Sequence, residues 1–245
     1  MDTAGYVILS RLAAQQRATE ALAHNLANAD TPGYRAARML FSEYVSRQSG
    51  IVGTPGGQQV AYTQDRATWR ESQAGAISRT GNPLDVAIAG EGFFAVETPR
   101  GERYTRAGRF SIGAEGRLVD LEGNPVLDTQ GNPIAVAATD TRLEVLGDGT
   151  LRSENGPVGR LRVVRFEDAQ RLVAEGDRLL RADQPPEAMA RPALVGGAVE
   201  SSNVQPVLEM TRLTEETRRF QFAAQFLERE SQRVNTAVDR LLRHR

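Results

Sequence analysis

The chain has 245 residues, of which 40% are hydrophobic and 6% aromatic, and its 30 basic residues nearly balance 31 acidic ones. This length allows one or two domains with hydrophobic cores. A net charge of −1 argues against a general electrostatic attraction to nucleic acid or to an anionic membrane surface. The chain has no cysteine, and its two histidines, His24 and His244, lie near opposite ends. Disulfides and thiolate sites are therefore excluded, and most catalytic triads and histidine–metal sites are disfavoured.

The N-terminal residues give no indication of a cleavable signal peptide. Residues 1–5 lack a basic region, and the short apolar stretch at residues 6–9 ends at Ser10 and Arg11. No stretch approaches the ~18 consecutive apolar residues of a membrane span. We therefore expect neither a cleaved leader nor insertion into a membrane.

The first region with a clear period is N-terminal. Residues 6–28 are rich in Ala, Leu, Gln and Arg and contain no proline, which predicts a helix that ends before Thr31, Pro32 and Gly33. Spacings of three and four residues define a row of heptad positions. The row consists of Ile8, Leu12, Gln15, Thr19, Leu22, Leu26 and Ala29.

The C-terminal region repeats this pattern over four heptads. A helix from about Pro206 to Arg243 would be roughly 55 Å long. Its heptad positions are Met210, Leu213, Thr217, Phe220, Ala224, Leu227, Ser231, Val234, Val238 and Leu241. Two interpretations stay open: the terminal helices pack within their own domain, or they pair with each other or with other chains.

The region between the helices predicts an antiparallel β-domain. Short alternating runs at residues 84–88, 109–112, 143–145 and 161–166 are typical of strands, and glycine-rich turns separate them about every ten residues. The sequence therefore predicts an α+β fold in which coiled-coil-like terminal helices enclose a mostly antiparallel β-domain.

Candidate catalytic chemistry is weak. The sequence Gly90-Glu91-Gly92-Phe93-Phe94-Ala95 fits a dinucleotide fingerprint in letters, but a strand and a turn follow it where a helix would be needed. Four nearby carboxylates invite comparison with glycoside hydrolases, yet nothing fixes two of them at a catalytic separation. They are Asp85, Glu91, Glu97 and Glu102. We predict no catalytic, cofactor-binding or metal-binding residue.

Three sequence blocks resemble the bacterial flagellar rod and hook proteins. The N-terminal block is His24-Asn25-Leu26-Ala27-Asn28-Ala29-Asp30-Thr31-Pro32-Gly33-Tyr34-Arg35, with His24 where the family usually has Asn. The central block runs from Thr80 to Phe94 and continues at residues 104–110, 116–119 and 123–127. The C-terminal block is Glu200-Ser201-Ser202-Asn203-Val204, followed by Glu209-Met210. The blocks occur in the family's order over nearly the whole chain.

Within this family, the length and the segments at residues 6–11 and 40–44 favour the proximal-rod proteins. Distal-rod proteins are the alternative, and hook proteins normally carry more outer β-structure. The resemblance implies a non-enzymatic structural subunit of the basal-body rod, which leaves the cell through the flagellar export apparatus and stacks with other rod subunits in the periplasm. A cell-wall-degrading periplasmic enzyme and a coiled-coil adaptor are the alternatives from other classes.

The sequence patterns and the resemblance together predict a domain plan, in which the glycines and proline at residues 50–57 indicate a connector. Residues 1–35 would form the N-terminal helix of an inner helical domain, residues 36–78 an extended connector, residues 79–198 the β-rich domain, and residues 199–245 a C-terminal helix paired with the first. No cofactor is implied. The expected assembly residues are Leu12, Leu22, Leu26, Met210, Leu213, Phe220, Leu227, Val234 and Leu241, and the family-motif residues are Asn25, Leu26, Ala27, Asn28, Thr31, Pro32, Gly33 and Tyr34.

Overall fold

The computed structural model describes residues 3–47, 59–176 and 178–243, which divide into two compact units. The helical unit comprises the described residues within 1–27, 37–71 and 205–245. The β unit comprises those within 28–36 and 72–204. The N-terminal family motif therefore contributes to both units: Asn25 belongs to the helical unit, and residues 28–36 belong to the β unit.

The helical unit contains both terminal helices. Helix α1 spans Thr3–Ala27 and α2 spans Pro206–Arg243, and the two helices contact each other. The bounds of α2 match the sequence prediction, with Pro206 at the first helical position, where its missing N–H costs no hydrogen bond. Within the described residues, neither helix has an apolar stretch long enough to cross a bilayer. Two helices together with antiparallel sheets confirm the α+β class.

A β-hairpin completes the helical unit where the sequence led us to expect an extended connector. Strands β1 (Ala37–Arg47) and β2 (Gln59–Arg70) are antiparallel, with a register shift between Leu40 and Phe41, and both contact α1. The connector prediction followed from the glycines and proline at residues 50–57, which lie outside the described residues. The β-branched and aromatic residues on either side of them instead form paired strands.

The β unit consists of short antiparallel strands. Its sheets have the strand orders β13-β14-β6-β5-β12-β15, β11-β10-β9, β16-β4, β17-β3 and β7-β8. The strands are β3 (Ile77–Arg79), β4 (Val86–Ile88), β5 (Phe93–Thr98), β6 (Gly101–Thr105), β7 (Ser111–Ile112), β8 (Leu118–Val119), β9 (Glu144–Val145), β10 (Thr150–Ser153), β11 (Gly156–Arg160), β12 (Val163–Arg165), β13 (Val173–Ala174), β14 (Leu180–Arg181), β15 (Glu187–Ala188), β16 (Leu194–Gly196) and β17 (Ala198–Glu200).

Strand β5 is central to the β unit because both of its faces are buried. Phe94 and Val96 belong to one core, in which Phe94 meets Phe110 edge-on with ring centroids 5.2 Å apart. Phe93 and Ala95 belong to a second core on the opposite face. Alternate side chains of a strand point to opposite faces, so this one strand supplies both cores. A dinucleotide site would need a helix after Gly92. Strand β5 follows Gly92 instead, as the sequence predicted.

Gly33 fixes the path of the N-terminal motif through the β unit. Its φ is +71°, and its N–H donates to the carbonyl oxygen of Glu200 at 2.7 Å. A Cβ at this position would lie 2.5 Å from the backbone nitrogen of Ala107. Only glycine therefore satisfies both the conformation and the available space.

We predict that Gly33→Ala destabilises the protein more than Gly81→Ala. Gly81 has a similar φ of +77°, but a Cβ there would have no neighbour within 4 Å. The control should cost only the left-handed strain of about 1–2 kcal/mol, whereas Gly33→Ala must also displace backbone. Urea denaturation of both variants measures the difference in the free energy of unfolding. Equal losses would contradict a steric requirement at Gly33.

Candidate assembly interface

The predicted assembly residues are covered to different extents in the single chain. Leu12, Leu22 and Leu26 on α1 are half-buried, as are Leu213 and Leu227 on α2. Met210 and Phe220 are exposed. The side chains of Val234 and Leu241 lie outside the described part of α2. The predicted row is therefore only partly covered by the chain's own helices.

The most buried positions of the two helices are largely polar. Gln15, Asn25 and Glu209 are buried together with Ala14, whereas the leucines of the heptad rows are only half-buried. Buried polar groups are costly unless they are hydrogen-bonded. The contacts of Asn25 and Glu209 therefore determine how the N- and C-terminal segments are joined.

Asn25 holds the chain where the hairpin begins. Its Oδ1 accepts a hydrogen bond from the N–H of Ala37, and its Nδ2 donates to the carbonyl oxygen of Ala37, both at 2.9 Å. Nδ2 also lies 3.3 Å from Oε2 of Glu209, to which it donates. The carboxamide thus satisfies both backbone groups of Ala37 and contacts a residue of α2. These bonds need a donor and an acceptor on the same short side chain, and the asparagine of the motif supplies both.

Glu209 pairs with two arginines, one from β1 and one from α2. Arg38 of β1 lies 2.8 Å from its carboxylate, and Arg212 of α2 lies 2.9 Å away. Arg38 also pairs with Glu71 at 2.7 Å. Burial alone would lower the pKa of Arg38, but hydrogen bonds to Glu71 and Glu209 and their negative charges raise it above its ordinary value. The Arg38 guanidinium therefore stays ionised at neutral pH.

The β unit has a second buried carboxylate, Glu200. Arg106 lies 2.5 Å from it and also donates to the carbonyl oxygens of Gly92 and Gly90 at 2.6 and 2.8 Å. Arg35, from the N-terminal motif, lies 3.6 Å from the same carboxylate. Burial lowers the pKa of Arg106, and the charge of Arg35 adds to this, while Glu200 opposes both effects.

Asn203 completes the attachment of the N-terminal motif to the β unit. Its Oδ1 accepts from the N–H of Ala36 at 2.8 Å, and its Nδ2 donates to the carbonyl oxygen of Gln73 at 2.9 Å. Its own N–H donates to the carbonyl oxygen of Tyr34 at 3.3 Å. The C-terminal block, through Glu200, Asn203 and Glu209, is therefore bonded to the segments at and next to the N-terminal block.

Sequence reasoning identified these blocks by resemblance but gave no role to Glu200, Asn203, Glu209, Arg38 or Arg106. Each is polar, and several occur next to helix or strand ends, where charged residues are usually solvated. Neither periodicity nor local spacing distinguishes a buried arginine from an exposed one. The available indication was that Glu200, Asn203, Glu209 and Arg106 fall inside family blocks.

The four candidate carboxylates do not form a catalytic pair. Asp85 is buried and accepts from Nδ2 of Asn82 at 2.9 Å, whereas Glu91 is exposed. Glu97 and Glu102 lie opposite each other on β5 and β6. Glu102, however, pairs with Arg162 at 3.5 Å. Burial, with the nearby charge of Glu102, raises the pKa of Tyr104 to about 12. Among the described residues, no group of His, Asp or Glu has the arrangement of a metal site.

Comparison with known proteins connects this geometry to a family. Residues 6–35 match the model described as flagella basal body rod protein, residues 87–153 the flagellar hook protein FlgE/F/G D1 domain, and residues 195–240 the flagellar basal body rod FlgEFG protein C-terminal. The chain is 36% identical over 244 residues to the flagellar basal-body rod protein FlgF of Mesorhizobium japonicum, covering 98% of each chain. It is 34% identical to FlgF of Caulobacter vibrioides, again over 98% of each chain. It is 31% identical to the rod protein FlgG of Agrobacterium fabrum, over 82% of this chain and 84% of that one.

We predict that Asn25→Asp destabilises the protein by at least about 2 kcal/mol. The substitution keeps the shape of the side chain but replaces the amide donor with a carboxylate, which would face the carbonyl oxygen of Ala37 and the carboxylate of Glu209. The matched control is Asn235→Asp, at an exposed position of α2, which should change stability by no more than about 0.5 kcal/mol. Urea denaturation checks both. Similar small effects at the two positions would contradict the role of Asn25.

Proposed function

Because the chain belongs to the FlgF family of basal-body rod proteins and is a structural subunit of the bacterial flagellar rod, we propose that its helical unit forms the contacts between rod subunits. The observation that carries this proposal is the incomplete covering of the heptad row on α2. Met210 is 56% exposed and Phe220 is 39% exposed, although both occupy heptad positions. Large apolar side chains in such a row favour burial against another helix.

The polar network suits a subunit that carries load. A rod turning in the cell envelope transmits torque only if each subunit keeps its terminal segments joined while neighbouring subunits pull on them. The buried bonds of Glu209 and Asn25 join α2 to the start of the hairpin within one chain. We infer that the heptad rows of neighbouring subunits pack against each other in a coiled-coil-like manner. These contacts add to the bonds of Glu209 and Asn25 within each chain.

Family membership places the chain in the flagellar basal body, among other axial subunits. We propose that it occupies the proximal part of the rod and reaches it through the flagellar export apparatus. The near-complete coverage of FlgF chains supports the proximal position. Similarity to FlgG proteins keeps the distal rod as the second candidate. We propose no enzymatic activity, since the family is structural.

The proposal predicts that Met210→Ala with Phe220→Ala abolishes rod assembly while leaving the single chain folded. Met210 is mostly exposed in the single chain, so its truncation should change the free energy of unfolding by no more than about 0.5 kcal/mol. Phe220 is 39% exposed, so its truncation should cost about 1–2 kcal/mol, which leaves the chain folded. Truncation of two anchors in an interface should cost about 2 kcal/mol or more for each. The measurements are swimming motility and recovery of the protein in isolated basal bodies, in cells lacking the native gene.

The matched control is Gln221→Ala with Gln232→Ala, two exposed positions of α2 outside the heptad row. We expect the control to retain motility. Normal motility and normal recovery of the Met210/Phe220 variant would show that the heptad row does not form the contact between subunits.

A further inference from the structure

The helical unit has a groove that its own side chains leave unfilled. The groove has a volume of about 530 Å³. Ala18, Ala21 and Leu22 of α1, Met39 of β1 and Trp69 of β2 supply its apolar lining. The small side chains of Ala18 and Ala21 leave the space between α1 and the hairpin open. A groove of this size with an apolar lining fits one or two large apolar side chains.

Charged residues line the same groove, and one of them lacks a partner. Arg38 pairs with Glu71, Arg212 with Glu209, and Arg219 with Glu216. All of these residues except Glu209 line the groove, together with Glu215. Within the described residues, Glu215 has neither a hydrogen bond nor an ion pair, and it is exposed. The groove therefore presents an unpaired negative charge beside its apolar lining.

Two aromatic side chains further along α2 project into solvent. Phe222 is 72% exposed and Phe226 is 59% exposed. A spacing of four residues places them on the same side of the helix. They are not heptad positions, so the packing of the heptad rows does not account for them. Two arginines lie next to this aromatic pair: Arg218 four residues before Phe222, and Arg229 three residues after Phe226. Within the described residues, neither arginine forms an ion pair.

We propose that Phe222 and Phe226 of one copy of this chain insert into the groove of a second copy, where Arg229 pairs with Glu215. The inference rests on the proposed function, because it names the partner of the helical unit. The partner is a second copy because one chain carries both surfaces: an unfilled groove with a carboxylate, and an exposed aromatic pair with arginines, all three charges being unpaired within the described residues. The charges are complementary in sign, and the two surfaces consist of different residues.

The form of this contact has a consequence for assembly. When a copy inserts its aromatic pair without receiving one in return, its own groove stays open for a third copy. Such a one-way contact between two different surfaces continues from copy to copy, whereas reciprocal insertion closes into a two-fold dimer. Phenylalanines bury about 150–250 Å² each, so the two rings would form the centre of a larger interface.

The absence of cysteine from the chain gives a direct test by disulfide cross-linking. Cells lacking the native gene would express two full-length variants, Glu215→Cys and Arg229→Cys, one with a short tag so that mixed dimers separate on a gel. After mild oxidation of isolated basal bodies, we expect mixed dimers at least about tenfold above a control pair, because docking holds the thiols at millimolar effective concentration. The control pair is Val207→Cys with Glu215→Cys, since Val207 is exposed on α2 but belongs to neither surface.

A second variant tests the aromatic side chains themselves. Phe222→Ala with Phe226→Ala in the Arg229→Cys chain should reduce the mixed dimer to the level of the control pair, while circular dichroism shows an unchanged fold. Mixed dimers no more abundant than the control, in basal bodies that contain both variants, would overturn the docking and leave the rod function intact. Absence of the unsubstituted chain from assembled basal bodies would overturn both.

Discussion

The burial of two carboxylates, Glu209 and Glu200, is the constraint on which the rest of the structure depends. A buried charge must be paired and hydrogen-bonded, or the cost of removing it from water is several kcal/mol. Glu209 meets this need with Arg38, Arg212 and Asn25 in the helical unit. Glu200 meets it with arginines and backbone groups of the β unit. In each unit the carboxylate comes from the C-terminal block and draws in segments from early in the chain, so the fold closes by bonding its two ends.

This arrangement separates two kinds of interaction that a rod subunit needs. Polar groups in the interior fix how the terminal segments of one chain are joined, and a buried network of this kind is sensitive to geometry and specific. Apolar groups on the outside remain available: Met210 and Phe220 in the heptad row, and Phe222 and Phe226 on another side of α2. We infer that assembly adds apolar contacts to a subunit whose internal joint is already complete. Such a subunit presents its contact surfaces without first having to refold.

The parts of this fold that depend on local sequence could be predicted, and those that depend on distant pairing could not. The heptad pattern and Pro206 predicted α2 with its observed bounds, because helix period and start signals are local. Short runs of alternating apolar and polar residues, separated by glycine-rich turns, likewise predicted the antiparallel β unit. The hairpin of β1 and β2 was missed because the glycines and proline between its strands are typical of a connector. The contact of Asn25 with Glu209 joins residues 184 positions apart, and nothing local marks either side chain as buried. Family resemblance identified both residues but not their contact.

A double-mutant cycle on Arg106 and Glu200 tests most directly whether the sequence blocks are held by their mutual bonds. The side chains are 2.5 Å apart and both are buried, with Arg106 in the central block and Glu200 in the C-terminal block. Arg106→Leu and Glu200→Leu should each lower the free energy of unfolding by about 3–5 kcal/mol, since each leaves a buried charge without its partner. The double variant should lose at least about 2 kcal/mol less than the sum of the single losses. Additive losses in urea denaturation would show that the two residues stabilise the fold independently and would contradict the account.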